Sequence, residues 1–122
     1  MNIEHLNING MDIAVVSSDE MVITDVQSAL DLAITVKYET GAANIVIGKK
    51  LICEDFFILS TKLAGEILQK FINYRVKMAV YGDYSRYTSK PLKDFIYESN
   101  KGKDFFFVST KEDAIQKLAQ TQ

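Results

Sequence analysis

The apolar residues of this chain alternate between two spacings, and this alternation constrains the fold more than any other feature. Residues 43–47 form a short apolar run between two glycines, which is typical of a strand buried on both faces. Over residues 61–73 the apolar side chains instead fall on one broad helical face, with polar side chains opposite. The two patterns then alternate to the end of the chain, which predicts strands separated by helices.

The N-terminal segment predicts a β-hairpin. Ile3, Leu6 and Ile8 precede Asn9-Gly10, and residues 13–16 form a second apolar run. Asn-Gly readily adopts the two positive φ angles of a tight hairpin turn. The hairpin therefore supplies two antiparallel strands ahead of the alternating region.

The first helix is predicted to follow this hairpin. Thr24 and Gln27 have the spacing of a capping box. Apolar residues then recur at helical intervals over about 14 residues. The apolar residues at these intervals are Val26, Ala29, Leu30, Ala33 and Ile34.

Together these patterns predict a single α/β domain over residues 1–122 with the order β-β-α-β-α-β-α-β-α. A chain of 122 residues with 48% hydrophobic residues supplies one continuous core. Strand-helix-strand units join parallel strands by right-handed crossovers. We therefore expect a mostly parallel sheet with an antiparallel N-terminal edge strand.

Composition narrows the class of function. The net charge is −2 and the charged residues are interspersed, whereas a protein that binds nucleic acid normally concentrates basic residues on one face. No apolar run approaches the roughly 18 residues of a membrane span. Cys53 is the sole cysteine, as expected in a reducing compartment. We therefore predict a cytoplasmic protein without nucleic-acid or membrane partners.

No catalytic or cofactor motif is found in the sequence. The glycines are too dispersed for G-x-G-x-x-G or a P-loop. His5 is the only histidine and, with one distant cysteine, builds neither a metal site nor a catalytic triad. We predict no catalytic residues, no metal and no cofactor.

Open parallel sheets bind ligands at the carboxyl ends of their strands. Three polar segments should meet there, namely residues 17–20, 50–61 and 82–90. Arginine binds carboxylate or phosphate, while tyrosine adds rigid contact area. An alternative is a solvated loop that only caps the next helix through Ser89. The predicted binding surface comprises Asp83, Tyr84, Ser85, Arg86, Tyr87, Lys90, Glu54 and Asp55.

Ser60 and Thr61 are predicted to open the second helix. A hydroxyl at that position is first of all a helix cap. It is also a candidate phosphorylation site, because phosphate is favoured at a helix N-terminus and would alter a surface that docks there.

The stretch from LAGEILQKF to IYESNKG, the opening pattern and LICEDFF resemble the family of domains of unknown function numbered 4180. The element order is also similar to STAS domains of the anti-sigma-factor antagonist type. That resemblance implies a phosphorylatable serine at the start of the second helix, in Asp-Ser-x-Gly. Ser60 or Thr61 stands at this position, without the preceding aspartate and the closely following glycine.

Two functions follow as hypotheses. The first is a non-enzymatic regulatory or protein-interaction module that binds a protein through the surface around Ser60, Thr61 and residues 82–90. The second is a site for a small anionic ligand, or a small enzyme site, at the same sheet edge, formed by Asp83, Arg86, Glu54 and Asp55. A structural homodimer is a third option.

Overall fold

The computed structural model describes residues 1–120 and shows the predicted element order. Five strands and four α-helices follow one another as β-β-α-β-α-β-α-β-α. Three short 3₁₀ turns lie between the third strand and the second helix. The elements are β1 (Asn2–Ile8), β2 (Met11–Ser17), α1 (Val26–Thr40), β3 (Asn44–Gly48), α2 (Leu63–Asn73), β4 (Lys77–Tyr81), α3 (Lys90–Lys101), β5 (Phe105–Val108) and α4 (Lys111–Ala119).

The N-terminal hairpin is confirmed. β1 pairs antiparallel with β2 in seven residue pairs, from Asn2 opposite Ser17 to Ile8 opposite Met11. Asn9 and Gly10 have φ angles of 54° and 84°, the left-handed conformation that a two-residue hairpin turn requires at both positions.

The five strands form one sheet in the order β1-β2-β3-β4-β5, and β2 to β5 are parallel. Each strand lies beside the one before it in sequence. Crossovers of one hand between such strands place their helices on the same face. Accordingly, the buried residues of α1, α2 and α3 join one apolar cluster, whereas those of α4 join the cluster on the opposite face.

α1 begins one residue later than the predicted capping box implies, so the box of Thr24 and Gln27 is wrong. Asp25 is the N-cap, and its carboxylate accepts a hydrogen bond from the Ser28 backbone N–H at 2.7 Å. The Ser28 hydroxyl in turn accepts from the Asp25 backbone N–H at 3.0 Å. The same reciprocal chemistry operates here with a serine at the third helical position.

The outer edge of β5 is covered by a side chain from α3. The Asn100 carboxamide donates to the Phe107 carbonyl at 3.1 Å and accepts from the Phe107 N–H at 2.7 Å. Both outward backbone groups of Phe107 are thus satisfied, as a further strand would satisfy them. The β5 edge is closed to strand addition at this residue.

Within residues 1–120, none of the helices has both the length and the apolar character needed to cross a bilayer.

Candidate functional site

The loops after β3 and β4 meet at the carboxyl edge of the sheet. Phe56 and Phe57 are buried in the first loop, with their ring centroids 5.0 Å apart. They anchor the 3₁₀ turn Glu54–Phe57, so that Glu54 is held at the surface. The segment after β2 also returns to this edge, because Ile23 pairs in parallel with Ile52.

Glu54, Arg86 and Tyr87 form a hydrogen-bonded network between the two loops. Arg86 Nη2 donates to Glu54 Oε1 at 2.7 Å and to Oε2 at 2.9 Å. The Tyr87 hydroxyl lies 2.8 Å from both carboxylate oxygens. The hydrogen bond with Tyr87 and the charge of Glu54 raise the pKa of Arg86. The network fixes two exposed charges in one geometry across 32 residues of sequence.

Lys49 completes this group from the end of β3. Its ammonium nitrogen lies 4.8 Å from the Tyr87 ring centroid and 5.3 Å from that of Phe57, within the range of a cation–π contact. A Cβ at Gly82 would lie 2.7 Å from the Lys49 Cβ. The Lys49 side chain can therefore pack here because Gly82 has no side chain. We call Lys49, Glu54, Arg86 and Tyr87 the rim cluster.

Tyr84 belongs to the interior edge rather than to the exposed surface. Its hydroxyl donates to the Val80 carbonyl at 2.7 Å, and its ring packs near Phe57 and Phe107. Burial raises the pKa of the Tyr84 phenol well above its ordinary value. The role that this geometry indicates for Tyr84 is to hold the loop after β4 on the core.

The other predicted surface residues do not join the network. Asp83 accepts a hydrogen bond from the Ser85 backbone N–H at 2.9 Å, which lowers the pKa of Asp83. Lys90 pairs with Asp94 on the first turns of α3 at 2.7 Å. Asp55 is exposed. The structure therefore brings Glu54, Arg86 and Tyr87 together. Asp83, Ser85, Lys90 and Asp55 lie outside this network.

Neither Ser60 nor Thr61 is the N-cap residue of α2, so that part of the prediction is wrong, although the Thr61 hydroxyl accepts a hydrogen bond from the Leu63 N–H at the start of the helix at 3.3 Å. The N-cap of α2 is Lys62, which has a φ angle of 68°. The Thr61 hydroxyl lies 2.7 Å from the Asp55 carbonyl and 2.8 Å from the Ile58 carbonyl, and it closes the preceding turn. Ser60 is exposed. Thr61 is exposed as well, but of these two hydroxyls only that of Thr61 is hydrogen-bonded to backbone carbonyls within the described chain.

Four surface cavities of the described chain lie over its helices, and Glu54 and Arg86 line none of these four. One of about 480 Å³ lies between α3 and the segment from Tyr84 to Thr88, and Tyr87 of the rim cluster is among its lining residues. Among residues 1–120 no three His, Cys, Asp or Glu side chains are grouped to hold a metal ion. The charged groups of the rim thus pair on an open surface.

An exposed apolar groove on α1 is the surface feature that the sequence analysis missed. Its volume is about 670 Å³, and Leu30, Ile34 and Tyr38 line one wall while Tyr74 and Val76 line the other. Tyr38 is 90% exposed and Ile34 is 65% exposed. The buried stripe of α1 is instead Ala29, Leu32, Ala33 and Val36. A signal was present, because apolar residues cover more of α1 than the single stripe that faces a core.

Ile34→Ala is therefore expected to change the free energy of unfolding by less than about 0.5 kcal/mol, as for other exposed positions. Val36→Ala is the matched control on the buried stripe, and we expect a loss of about 2 kcal/mol there. Urea unfolding followed by circular dichroism measures both. Equal losses at the two positions would show that Ile34 packs in the core.

No curated protein and no solved structure matches this chain. Residues 8–118 match a protein family described as a domain of unknown function, DUF4180. The match covers the whole rim cluster and all buried residues of the two apolar clusters except Ala119. The chain therefore belongs to the DUF4180 family.

Proposed function

We propose that this chain is a non-enzymatic protein-interaction module that contacts its partner through the rim cluster. The observation that carries the proposal is the pairing of Arg86 with Glu54 on an open surface, where their side chains are 67% and 49% exposed and line none of the four cavities. A small ligand normally needs a concave site that encloses most of its surface. A protein partner needs only an ordered and exposed patch.

The rim cluster has the chemistry of a binding hot spot. Arginine and tyrosine are enriched at such positions. Arg86 is held by Glu54, and the Tyr87 ring stacks on Phe57 with centroids 5.5 Å apart. Both side chains are therefore ordered before a partner arrives, which lowers the entropic cost of binding.

The partner that fits this surface is acidic. Within the described chain, the hydrogen bonds of Arg86 all use Nη2, so its other nitrogens remain for a carboxylate. The Lys49 ammonium lies nearby over the same tyrosine ring. Carboxylates form bidentate pairs with a guanidinium. An acidic segment of a partner protein would contact Arg86 and Lys49 together.

Arg86→Ala is expected to weaken the complex with this partner at least about tenfold, the loss seen for an interface anchor. Lys93→Ala is the matched control, because Lys93 is also exposed and basic but lies on α3. The tagged domain recovers the partner from extracts of its own cells, and calorimetry compares the variants. A partner bound equally by wild type and Arg86→Ala would exclude the rim cluster as its contact.

A small anionic ligand is the second candidate for the same cluster. It is favoured by one observation, namely that Lys49 and Arg86 both lie over the Tyr87 ring, at 4.8 and 5.2 Å from its centroid. An anion between these two cations would be bound by both. A rise in melting temperature with pyrophosphate that Lys49→Met abolishes would favour this candidate. An unchanged melting temperature would favour the protein partner.

The regulatory and cellular parts of the proposal rest on separate residues. The exposed Ser60 lies in the turn that precedes α2 and packs beside the Glu54 turn. A phosphoryl group there would add negative charge near the rim and disfavour an acidic partner. Cys53 as the sole cysteine supports a cytoplasmic location.

A further inference from the structure

The two outer edges of the sheet differ in how they are protected. The Asn100 side chain covers the outward backbone groups of Phe107 on β5. β1 is the opposite edge of the sheet, and within residues 1–120 it pairs only with β2. Among the described residues, no hydrogen bond links the backbone of β1 to anything beyond its own hairpin. β1 therefore presents an open edge of seven residues.

The hairpin geometry identifies the groups at this edge. A two-residue turn closes on a hydrogen-bonded pair, which here is Ile8 with Met11. Hydrogen-bonded and non-bonded pairs alternate along an antiparallel ladder. The even-numbered residues of β1 consequently bond to β2, and the N–H and C=O groups of Ile3, His5 and Asn7 point outward.

Little in β1 blocks the approach of another strand. Natural edge strands are commonly protected by proline, lysine or a bulge. β1 contains neither proline nor lysine, and its pairing with β2 is not interrupted by a bulge. Its outward-facing polar residues are tied back to their own hairpin. His5 Nε2 and Asn7 Nδ2 lie 2.9 and 3.0 Å from Asp12 Oδ1.

We propose that β1 pairs antiparallel with β1 of a second copy of this chain, about a twofold axis at His5. In this register His5 lies opposite His5 of the other copy, and Ile3 lies opposite Asn7. The sheets of the two copies then form one continuous sheet. All outward groups of Ile3, His5 and Asn7 are paired, which gives about six new backbone hydrogen bonds.

A second copy fits this edge because the register that pairs the two β1 strands along their whole length also has twofold symmetry. Antiparallel pairing of identical strands satisfies the same backbone groups on both copies, as a closed twofold dimer requires. It also places Leu6 diagonal to Leu6 of the other copy. Leu6 is only half-buried beside the cluster that α4 covers. The exposed carboxylate of Glu4 lies opposite Leu6 and reaches solvent at the sheet surface.

Sedimentation velocity over a range of concentrations tests the dimer. His5→Pro removes one outward N–H and should weaken dimerisation at least about tenfold. His5→Ala is the control, since it also loses the contact with Asp12 but keeps the N–H, and it should dimerise like the wild type. A wild type that stays monomeric into the millimolar range would overturn the proposal, as would a folded His5→Pro protein that dimerises normally.

Disulfide cross-linking tests the register without relying on a proline variant. In a Cys53→Ser background, His5→Cys places two cysteines opposite each other across the twofold axis, within disulfide distance. Asn7→Cys places the two cysteines four residues apart along the paired strands, beyond disulfide distance. Mild oxidation should cross-link the first protein and leave the second monomeric on a non-reducing gel. Cross-linking of Asn7→Cys alone would refute this register and the proposed symmetric pairing.

Discussion

Phe56→Ala is expected to lower the free energy of unfolding by about 3–5 kcal/mol, because a fully buried aromatic side chain leaves a cavity that its neighbours fill only partly. Phe56 has no exposed surface. Its ring centroid lies 5.0 Å from that of Phe57, 6.5 Å from that of Phe105 and 6.2 Å from that of Phe107. The residue therefore joins the loop after β3 to the end of the sheet.

Equilibrium urea unfolding measures this loss. Ile58→Ala is the matched control in the same loop, because Ile58 is 46% exposed, and we expect a change below about 1 kcal/mol. A loss at Phe56 no larger than at Ile58 would contradict its assignment to the core. Phe56→Ala should also release Glu54 from Arg86, which a shift of the Arg86 side-chain resonance in an NMR spectrum would report.

The region around Phe56 also shows where prediction from the sequence stopped. The alternating periods predicted the element order and the parallel sheet, since each pattern repeats over a whole strand or helix. Residues 49–59 have neither period. They form 3₁₀ turns, in which the burial of Phe56 and Phe57 depends on contacts with β5 and the loop after β4. The periodicity of neighbouring residues does not reveal such long-range contacts.

The candidate site was predictable to a similar extent. Topology predicted that the loops after β3 and β4 share an edge, and both Glu54 and Arg86 were among the predicted residues. The partners of each side chain were not predictable, because they depend on distances across 32 residues. Lys49 was missed for this reason. Tyr84 was assigned to the surface because the alternation of polar residues around it does not reveal that its hydroxyl reaches Val80.

Asn100→Leu is expected to lower the free energy of unfolding by about 2–4 kcal/mol, because it keeps the side-chain size but leaves two backbone groups of β5 without partners. Phe107 is 4% exposed, so water replaces the lost hydrogen bonds poorly. Each buried donor or acceptor left unsatisfied costs about 1–3 kcal/mol. Chemical denaturation measures the loss.

Asn100→Asp is the matched variant, since it keeps an acceptor for the Phe107 N–H at 2.7 Å and loses the donor to the Phe107 carbonyl. Its loss should lie between those of the wild type and Asn100→Leu. The leucine variant should also self-associate more, because both edges of the sheet would then be open. A leucine variant as stable as the wild type would show that the Phe107 backbone needs no side-chain partner, and the contrast between the covered β5 edge and the open β1 edge would lose its physical basis.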